Sequence, residues 1–368
     1  MKNYLFYFIH PAKFHAFRLT INALMEKGHK VDVIIIKKDI VEDLVKSEGW
    51  NYTNIFPEGR RIKSLHIYLS ALINLFKTLF RLNKLIKRKS YDLIITDDLA
   101  TIIGRLKGIP TIFFTDDDLK AVPESILLAI PSTHILCPEI TQMGIFKYKK
   151  IGYKAIKAIA HLHPNHYQPD IKNIPESLQN RTKKYFVIRC VSVTSTHDVG
   201  NKGISNELLK KLVNFLSNYG EVVINSQREL PQDLQKYEIK IDVRKVTDLI
   251  AFSKLFISDS TTMCAEAAVL GVPSIEIDDW FSDFEQYKIL NEKYKLLQGF
   301  YPDEEEKIFN YIKSLFSNPM IDEIFMNNRK NFVDNHIDVT KFMVWLFDNY
   351  PGSYIELKKN NNIQLKFQ

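Results

Sequence analysis

Residues Ser258 to Ile277, SDSTTMCAEAAVLGVPSIEI, leave the chain little freedom in how it folds. The preceding Leu255-Phe256-Ile257 reads as the end of a buried strand, and Met263 to Leu270 is a run of good helix formers closed by Gly271. Gly271-Val272-Pro273 stops that helix, and Ser274-Ile275-Glu276-Ile277 opens the next strand. The unit is therefore strand, hydroxyl-rich turn, helix, strand. Its helix N-terminus offers unpaired N–H groups and a partial positive charge, which suit an anion such as a phosphate. Ser260, Thr261 and Thr262 surround that position, and Glu266, one helical turn further on, is placed to accept hydrogen bonds from a ribose if a nucleoside diphosphate occupies the turn. Ser258, Ser260 and Thr261 serve equally as ordinary helix caps, and spacing alone does not separate the two roles.

The same alternation runs through the rest of the chain. Tyr4 to Ile9 is a strand candidate, Phe14 to Glu26 a helix stopped at Gly28, and Val31 to Ile36 a second strand. Tyr91 to Thr96, Thr111 to Thr115 and His134 to Cys137 continue the series as short apolar strands of a parallel sheet covered on both faces. A composition change at His161-Leu162-His163-Pro164-Asn165, followed by Pro169 and Pro175, reads as a linker. Beyond it come strands at Tyr185 to Val193, Glu221 to Asn225 and Leu255 to Ser258, with helices near Ser205 to Asn218, Leu249 to Ser253 and Met263 to Leu270. The expected architecture is α/β: two doubly wound Rossmann-like domains facing each other across a cleft, residues 1–165 and 166–350, with a frayed polar tail at 351–368.

At 368 residues the chain is long enough for two such cores, and its 45% apolar and 25% charged residues are those of a globular protein. Cys137, Cys190 and Cys264 lack CxxC spacing, which argues against a disulfide framework or zinc site and for a reducing compartment, the cytoplasm. The net charge of +7 gathers early. Residues 60–89 read RRIKSLHIYLSALINLFKTLFRLNKLIKRK, with Arg60, Arg61, Lys63, Lys77, Arg81, Lys84, Lys87, Arg88 and Lys89 set around an apolar helix-like run. Ile67 to Phe80 is too short to span a bilayer, which needs ~20 apolar residues. Such a helix suits peripheral contact with the anionic inner face of a membrane as well as packing on its own sheet with a solvated basic face. Nucleic-acid binding is not expected, because no fold signature and no interleaved aromatics accompany the charge.

Ligands of doubly wound sheets bind beyond the carboxyl ends of the strands. There the first half offers His10-Pro11-Ala12-Lys13-Phe14-His15, whose imidazoles suit acid–base work or simply start a helix. With no glycine, that turn is no dinucleotide fingerprint. Asp97-Asp98 and Asp116-Asp117-Asp118 follow strands and suit a base, a sugar contact or helix capping, while Asp116-x-Asp118 is a formal but weak metal pattern. In the second half Arg189 lies inside a strand, and the loop after it carries Thr196, His197, Asp198, Gly200, Lys202 and Gly203, groups useful around a diphosphate. Asp198 pairs as readily with Arg189 or Lys202 as structure. Neither a GxSxG elbow nor a Walker A loop occurs.

Four blocks, Phe8 to His15, His161 to Asn165, Ile188-Arg189 with Thr196 to Gly200, and Asp259 to Met263 with Ala265-Glu266-Ala267, together resemble a prokaryotic family of uncharacterised GT-B-like proteins described as a domain of unknown function. More distantly, the last block resembles the SGGxxEE turn of non-hydrolysing UDP-N-acetylglucosamine 2-epimerases and the nucleotide-diphosphate turn of GT-B glycosyltransferases. The resemblance implies Ser260, Thr261 and Thr262 at the diphosphate and Glu266 at the ribose. It departs where Thr261 and Thr262 replace the epimerases' paired glycines and where their histidine loop is matched only at His197. It implies a metal-independent glycosyltransferase, without cofactor, that takes a nucleotide-diphosphate sugar such as a UDP-sugar and a glycan or lipid-linked acceptor in cell-surface polysaccharide or glycolipid synthesis. Arg189, Thr196, Lys202 and the Ser260 turn would hold the donor in the second domain, and His10, His15, Asp117 and His197 would do the acid–base work. A sugar-nucleotide 2-epimerase and a non-catalytic sugar-nucleotide-binding protein are the alternatives.

Overall fold

The computed structural model describes residues 1–37, 40–60, 67–87, 90–191 and 203–368, without the side chains of residues 67, 68 and 71. Contacts divide the chain into two compact units: Met1–His161 with Ile337–Gln368, and Leu162–His336.

In the first unit β1 (Asn3–Phe8), β2 (Lys30–Ile35), β3 (Tyr52–Asn54), β4 (Leu93–Thr96), β5 (Thr111–Phe114), β6 (His134–Pro138) and β7 (Lys150–Tyr153) form one sheet in the order β3-β2-β1-β4-β5-β6-β7. Every neighbouring pair is parallel. LIIT, TIFF and HILCP are buried along their whole length, as a sheet covered on both faces requires. The strand order reverses between β1 and β4. The helix after β1 runs over Pro11–Glu26, three residues earlier than its expected start. Pro11 fits the first helical position, where no N–H is needed, and His10 caps the helix through Nδ1, which accepts from Ala12 N–H at 3.2 Å.

In the second unit β8 (Tyr185–Cys190), β9 (Glu221–Ser226), β10 (Leu255–Ser258), β11 (Ser274–Ile277) and β12 (Leu297–Phe300) form a parallel sheet in the order β12-β11-β10-β8-β9, and the reversal lies between β8 and β10. The helix after β10 spans Thr261–Val269, so Thr261 and Thr262 lie in its first turn rather than in the turn before it. Ser260 is the cap, its Oγ accepting from Met263 N–H at 3.5 Å. Gly271 ends the unit with a φ of 78°, and a Cβ there would sit 2.8 Å from Cδ of Arg329, whose Nε donates to Val269 O at 2.9 Å.

The C-terminal residues depart from the expected organisation. Residues 337–350 belong to the first unit, and 351–368 are ordered rather than frayed. Helix Val339–Asp348 packs on helix Pro11–Glu26, burying Phe342, Met343, Leu346 and Phe347. Tyr4 donates its hydroxyl to Phe347 O at 3.0 Å. Gln364, fully buried, donates from Nε2 to Gly152 O at 2.9 Å and accepts from Lys154 N–H through Oε1 at 3.1 Å. A side-chain amide thus supplies the outer partners that edge strand β7 lacks, which a polar composition does not reveal.

Candidate functional site

The reversal point of the second sheet gathers a polar cluster. Arg189, at the end of β8, is buried, and its Nη1 donates to Asn225 Oδ1 on β9. Its Nε is enclosed with no partner among the described residues. Burial holds the guanidinium below its usual range, against the pull of the Glu266 and Asp259 carboxylates. Glu266 is buried one turn into the Ser260-capped helix, whose first turn carries no acid.

Asp259, directly after β10, ties down the site. It accepts from Val191 N–H at 2.8 Å and from Ile204 N–H at 3.4 Å, so one carboxylate holds both shoulders of the segment 192–202. Arg228, from the end of β9, lies 4.0 Å from Asp259 and donates to Ile204 O. Gly203 allows the approach, since a Cβ there would lie 2.7 Å from the Asp259 side chain. On β11 Glu276 is fully buried and faces Thr261 and Asp278 without a well-formed hydrogen bond. Burial first, and then the Asp278 carboxylate, push it well above the usual range, which weakens its opposition to an anion at the helix N-terminus.

The first unit concentrates charge at the carboxyl ends of β1, β4 and β5. Lys13 and Lys157, both buried, converge on Asp116, with Lys157 Nζ 2.5 Å from Oδ2 and Lys13 Nζ on Oδ1. Burial works to raise Asp116, yet the two ammonium groups outweigh it and hold the carboxyl well below the usual range. Lys13 also faces Asp97 and Asp117.

Asp97 and Asp98 differ sharply. Asp98 accepts from Tyr7 OH at 2.7 Å and from Arg60, a structural pairing. Asp97 is half-buried, but its Oδ1 is enclosed and has no partner among the described residues. Burial raises it to about 7, with Asp98 adding to the rise and Lys13 opposing it. Asp97 is thus a carboxyl poised to exchange a proton near neutral pH.

Of the residues expected from sequence, Arg189, Ser260, Thr261, Thr262 and Glu266 gather at the head of β8 and β10. Thr196, His197 and Lys202 lie outside the described residues, as does Asp198. His10 is exposed at its helix cap, and the His15 ring packs against that of His161 at 5.1 Å. Asp117 is half-buried, its N–H donating to Thr115 Oγ1 at 3.1 Å. Asp118 accepts from Gln142 N–H while Asp116 serves the lysines, so the two carboxylates of the formal metal pattern are engaged elsewhere. Among the described residues no cluster of His, Cys, Asp and Glu suits a metal ion. The thiols of Cys137 and Cys190 are pushed up to about 12 by burial, which removes them as nucleophiles. Sequence reasoning did not single out Lys157, Arg228 or Asp259. The position of Asp259 between a strand and a capped helix was the available signal.

Two parallel sheets of this kind in one chain define a protein of the GT-B-like class, built from two Rossmann-like domains. The chain belongs to the family described as "Protein of unknown function (DUF354)", which it matches over residues 9–310. No curated protein matches it by sequence. Among solved structures, it is similar to S. aureus MnaA in complex with UDP, with a TM-score of 0.69 at 14% identity over 97% of this chain and 98% of that one. A putative UDP-N-acetylglucosamine 2-epimerase from Listeria monocytogenes gives 0.69 at 10% identity, covering 95% and 97%. The spinosyn rhamnosyltransferase SpnG complexed with thymidine diphosphate gives 0.62 at 14%, covering 95% and 100%.

Proposed function

We propose that this protein is a nucleotide-sugar-dependent glycosyltransferase whose second unit carries the donor. The observation that supports this most is a buried Arg189, whose Nε has no partner among the described residues, within the electrostatic reach of a buried Glu266 on the Ser260-capped helix, at the reversal point of the sheet. The diphosphate lies at that N-terminus against Ser260, Thr261 and Thr262, the ribose hydroxyls bond Glu266, and Arg189 stabilises the charge that builds on the leaving diphosphate. Thr196 and Lys202 are assigned to the same ligand from sequence, and His197 to the acid–base work. In the first unit Asp97 is the base for the acceptor hydroxyl, taking its proton. Lys13 keeps Asp97 ionisable, and His10, His15 and Asp117 line the acceptor's approach. The acceptor is a glycan or lipid-linked saccharide.

Calorimetry of the full chain against UDP, GDP, CMP and TDP and their sugars tests the reading, with Glu266→Ala alongside. The variant weakens binding of the preferred nucleotide by roughly 1.5–3 kcal/mol, the worth of hydrogen bonds to a charged acceptor. Unchanged affinity removes Glu266 from the site, and no binding of any nucleotide overturns the proposal. A sugar-nucleotide 2-epimerase is the second reading, because UDP-N-acetylglucosamine 2-epimerase structures share this fold alongside the glycosyltransferases. An epimerase turns over free sugar nucleotide with no acceptor present, whereas a non-catalytic binder turns over nothing.

A further inference from the structure

Helix Ile67–Ile86 is apolar on two sides: Leu82 and Ile86 lie in the core of the first unit, with Leu75 and Leu79 packed against it. Its inward side also carries small polar residues, Ser70, Asn74 and Thr78, all buried. These satisfy one another and the local backbone: Thr78 Oγ1 donates to Asn74 O at 2.6 Å, and Asn74 Nδ2 donates to Arg60 O. The outward side carries Leu69, Leu72, Phe76 and Phe80, which are 48%, 50%, 64% and 70% exposed. Their spacing of three and four residues sets them in one stripe along the helix. The neighbouring helix Ala100–Lys107 exposes Leu106, and the short helix Ile126–Ala129 next to that exposes Leu127. All three helices pack on the same core, so the apolar surface continues across one layer of the first unit. Scattered exposed apolar residues are ordinary, but a contiguous array of large ones marks a surface that something covers.

The charge around the stripe identifies the cover. Residues 67–87 and 100–109 contain Lys77, Arg81, Lys84, Lys87, Arg105 and Lys107 and no Asp or Glu. Arg81 is held by Glu58 at 2.9 Å, while Lys77, Lys84, Lys87 and Arg105 are exposed. By the helical step, Lys77 and Lys84 stand roughly 75–95° to one side of the stripe's centre line, flanking it rather than opposing it. A second copy of this chain docking on the same face would bring cations against cations, because a two-fold interface sets a patch against itself. An anionic bilayer matches both features: its acyl boundary accepts the Phe and Leu side chains and its headgroups accept the lysines. Among the described residues no helix is long and apolar enough to cross a membrane, so the helix lies along the surface.

We propose that helix Ile67–Ile86, with the adjoining faces of the two helices beside it, docks the first unit on an anionic lipid surface. This does not depend on the nucleotide reading, and its failure leaves that reading untouched. The test is co-sedimentation of the full chain with vesicles of phosphatidylcholine alone or with about a third phosphatidylserine, at low and high salt. Three proteins are compared: wild type, Phe76→Ser with Phe80→Ser, and Lys77→Glu with Lys84→Glu. The wild type binds the anionic vesicles and releases at high salt, and each double variant loses roughly tenfold or more of that binding, with an unchanged Tm showing that exposed positions were altered without unfolding. A wild type that binds neither vesicle, or double variants that bind as it does, overturns the proposal. So does light scattering that finds a dimer turned into a monomer by the Phe76→Ser, Phe80→Ser pair, since the stripe is then covered by a second copy.

Discussion

At position 97 one carboxyl carries the whole difference between a structural acid and a reactive one. Asp98 next to it is spent on Tyr7 and Arg60, whereas Asp97 keeps an enclosed Oδ1 with no partner among the described residues and a pKa raised to about 7. Twin aspartates after a strand read alike in a sequence. Only the order of strands, which carries Lys13 from β1 past β4 to Asp116 beyond β5, tells them apart. Because burial raises the Asp97 pKa from 3.8 to about 7, the folded chain holds that proton more tightly than the unfolded one. The stability this contributes is full below about pH 4 and is lost as pH rises through about 7. Asp97→Asn is therefore expected to raise Tm at pH 8, by relief on the order of 1–3 kcal/mol, and to change it little at pH 4. The same variant is expected to abolish turnover, and wild-type kcat/KM is expected to climb through about pH 7 as the carboxyl loses its proton. Scanning calorimetry at the two pH values and a pH–rate profile check both. The placement of Arg189, Ser260 and Glu266 at the reversal of the second sheet was legible in sequence because it follows from a local βαβ pattern. Lys157 was not, since it meets Asp116 only through the folded sheet.

Among elements, strands with continuous apolar runs could be read directly, because a parallel sheet covered on both faces leaves no polar alternation to blur them. Strands β3, β7 and β12, with the sequences YTN, KIGY and LQGF, could not. They are short edge strands carrying polar residues or glycine, and their pairing is decided by neighbours distant in sequence. The turn at the head of β10 shows how an element can be set from outside itself. Val191, at the end of β8, and Ile204, before helix Asn206–Leu216, both donate to Asp259. Gly203→Ala inserts a Cβ where Asp259 already stands and is expected to cost roughly 1–3 kcal/mol of stability, as overpacking does. Nucleotide affinity should fall in parallel, because the shoulders of the segment 192–202 shift with it. Denaturant titration and calorimetry on one preparation measure the two losses together.

On the scale of the molecule, the first unit is discontinuous in sequence, with the second inserted between His161 and Ile337. The α/β class and the two Rossmann-like domains were legible. The return was not: Lys358 to Asn362 looks like solvated chain, and the apolar face of helix Val339–Asp348 looks like part of the domain that precedes it. A chain ending at His336 is expected to lose the cooperative transition of the first unit, because Phe6, packed ring to ring with Phe347 at 6.0 Å, and edge strand β7 both lose their cover. The segment Leu162–His336 expressed alone is expected to keep its own transition, since its sheet and core lie wholly within it. Thermal circular dichroism of the two fragments checks this. The arrangement also sets a timetable on the ribosome. The first unit starts to emerge before the other and must wait, open along β7 and beside helix Pro11–Glu26, while the inserted unit is translated to its end. It closes only when residues 337–368 have been made, so the unit whose strands are started first is completed after the unit inserted within it.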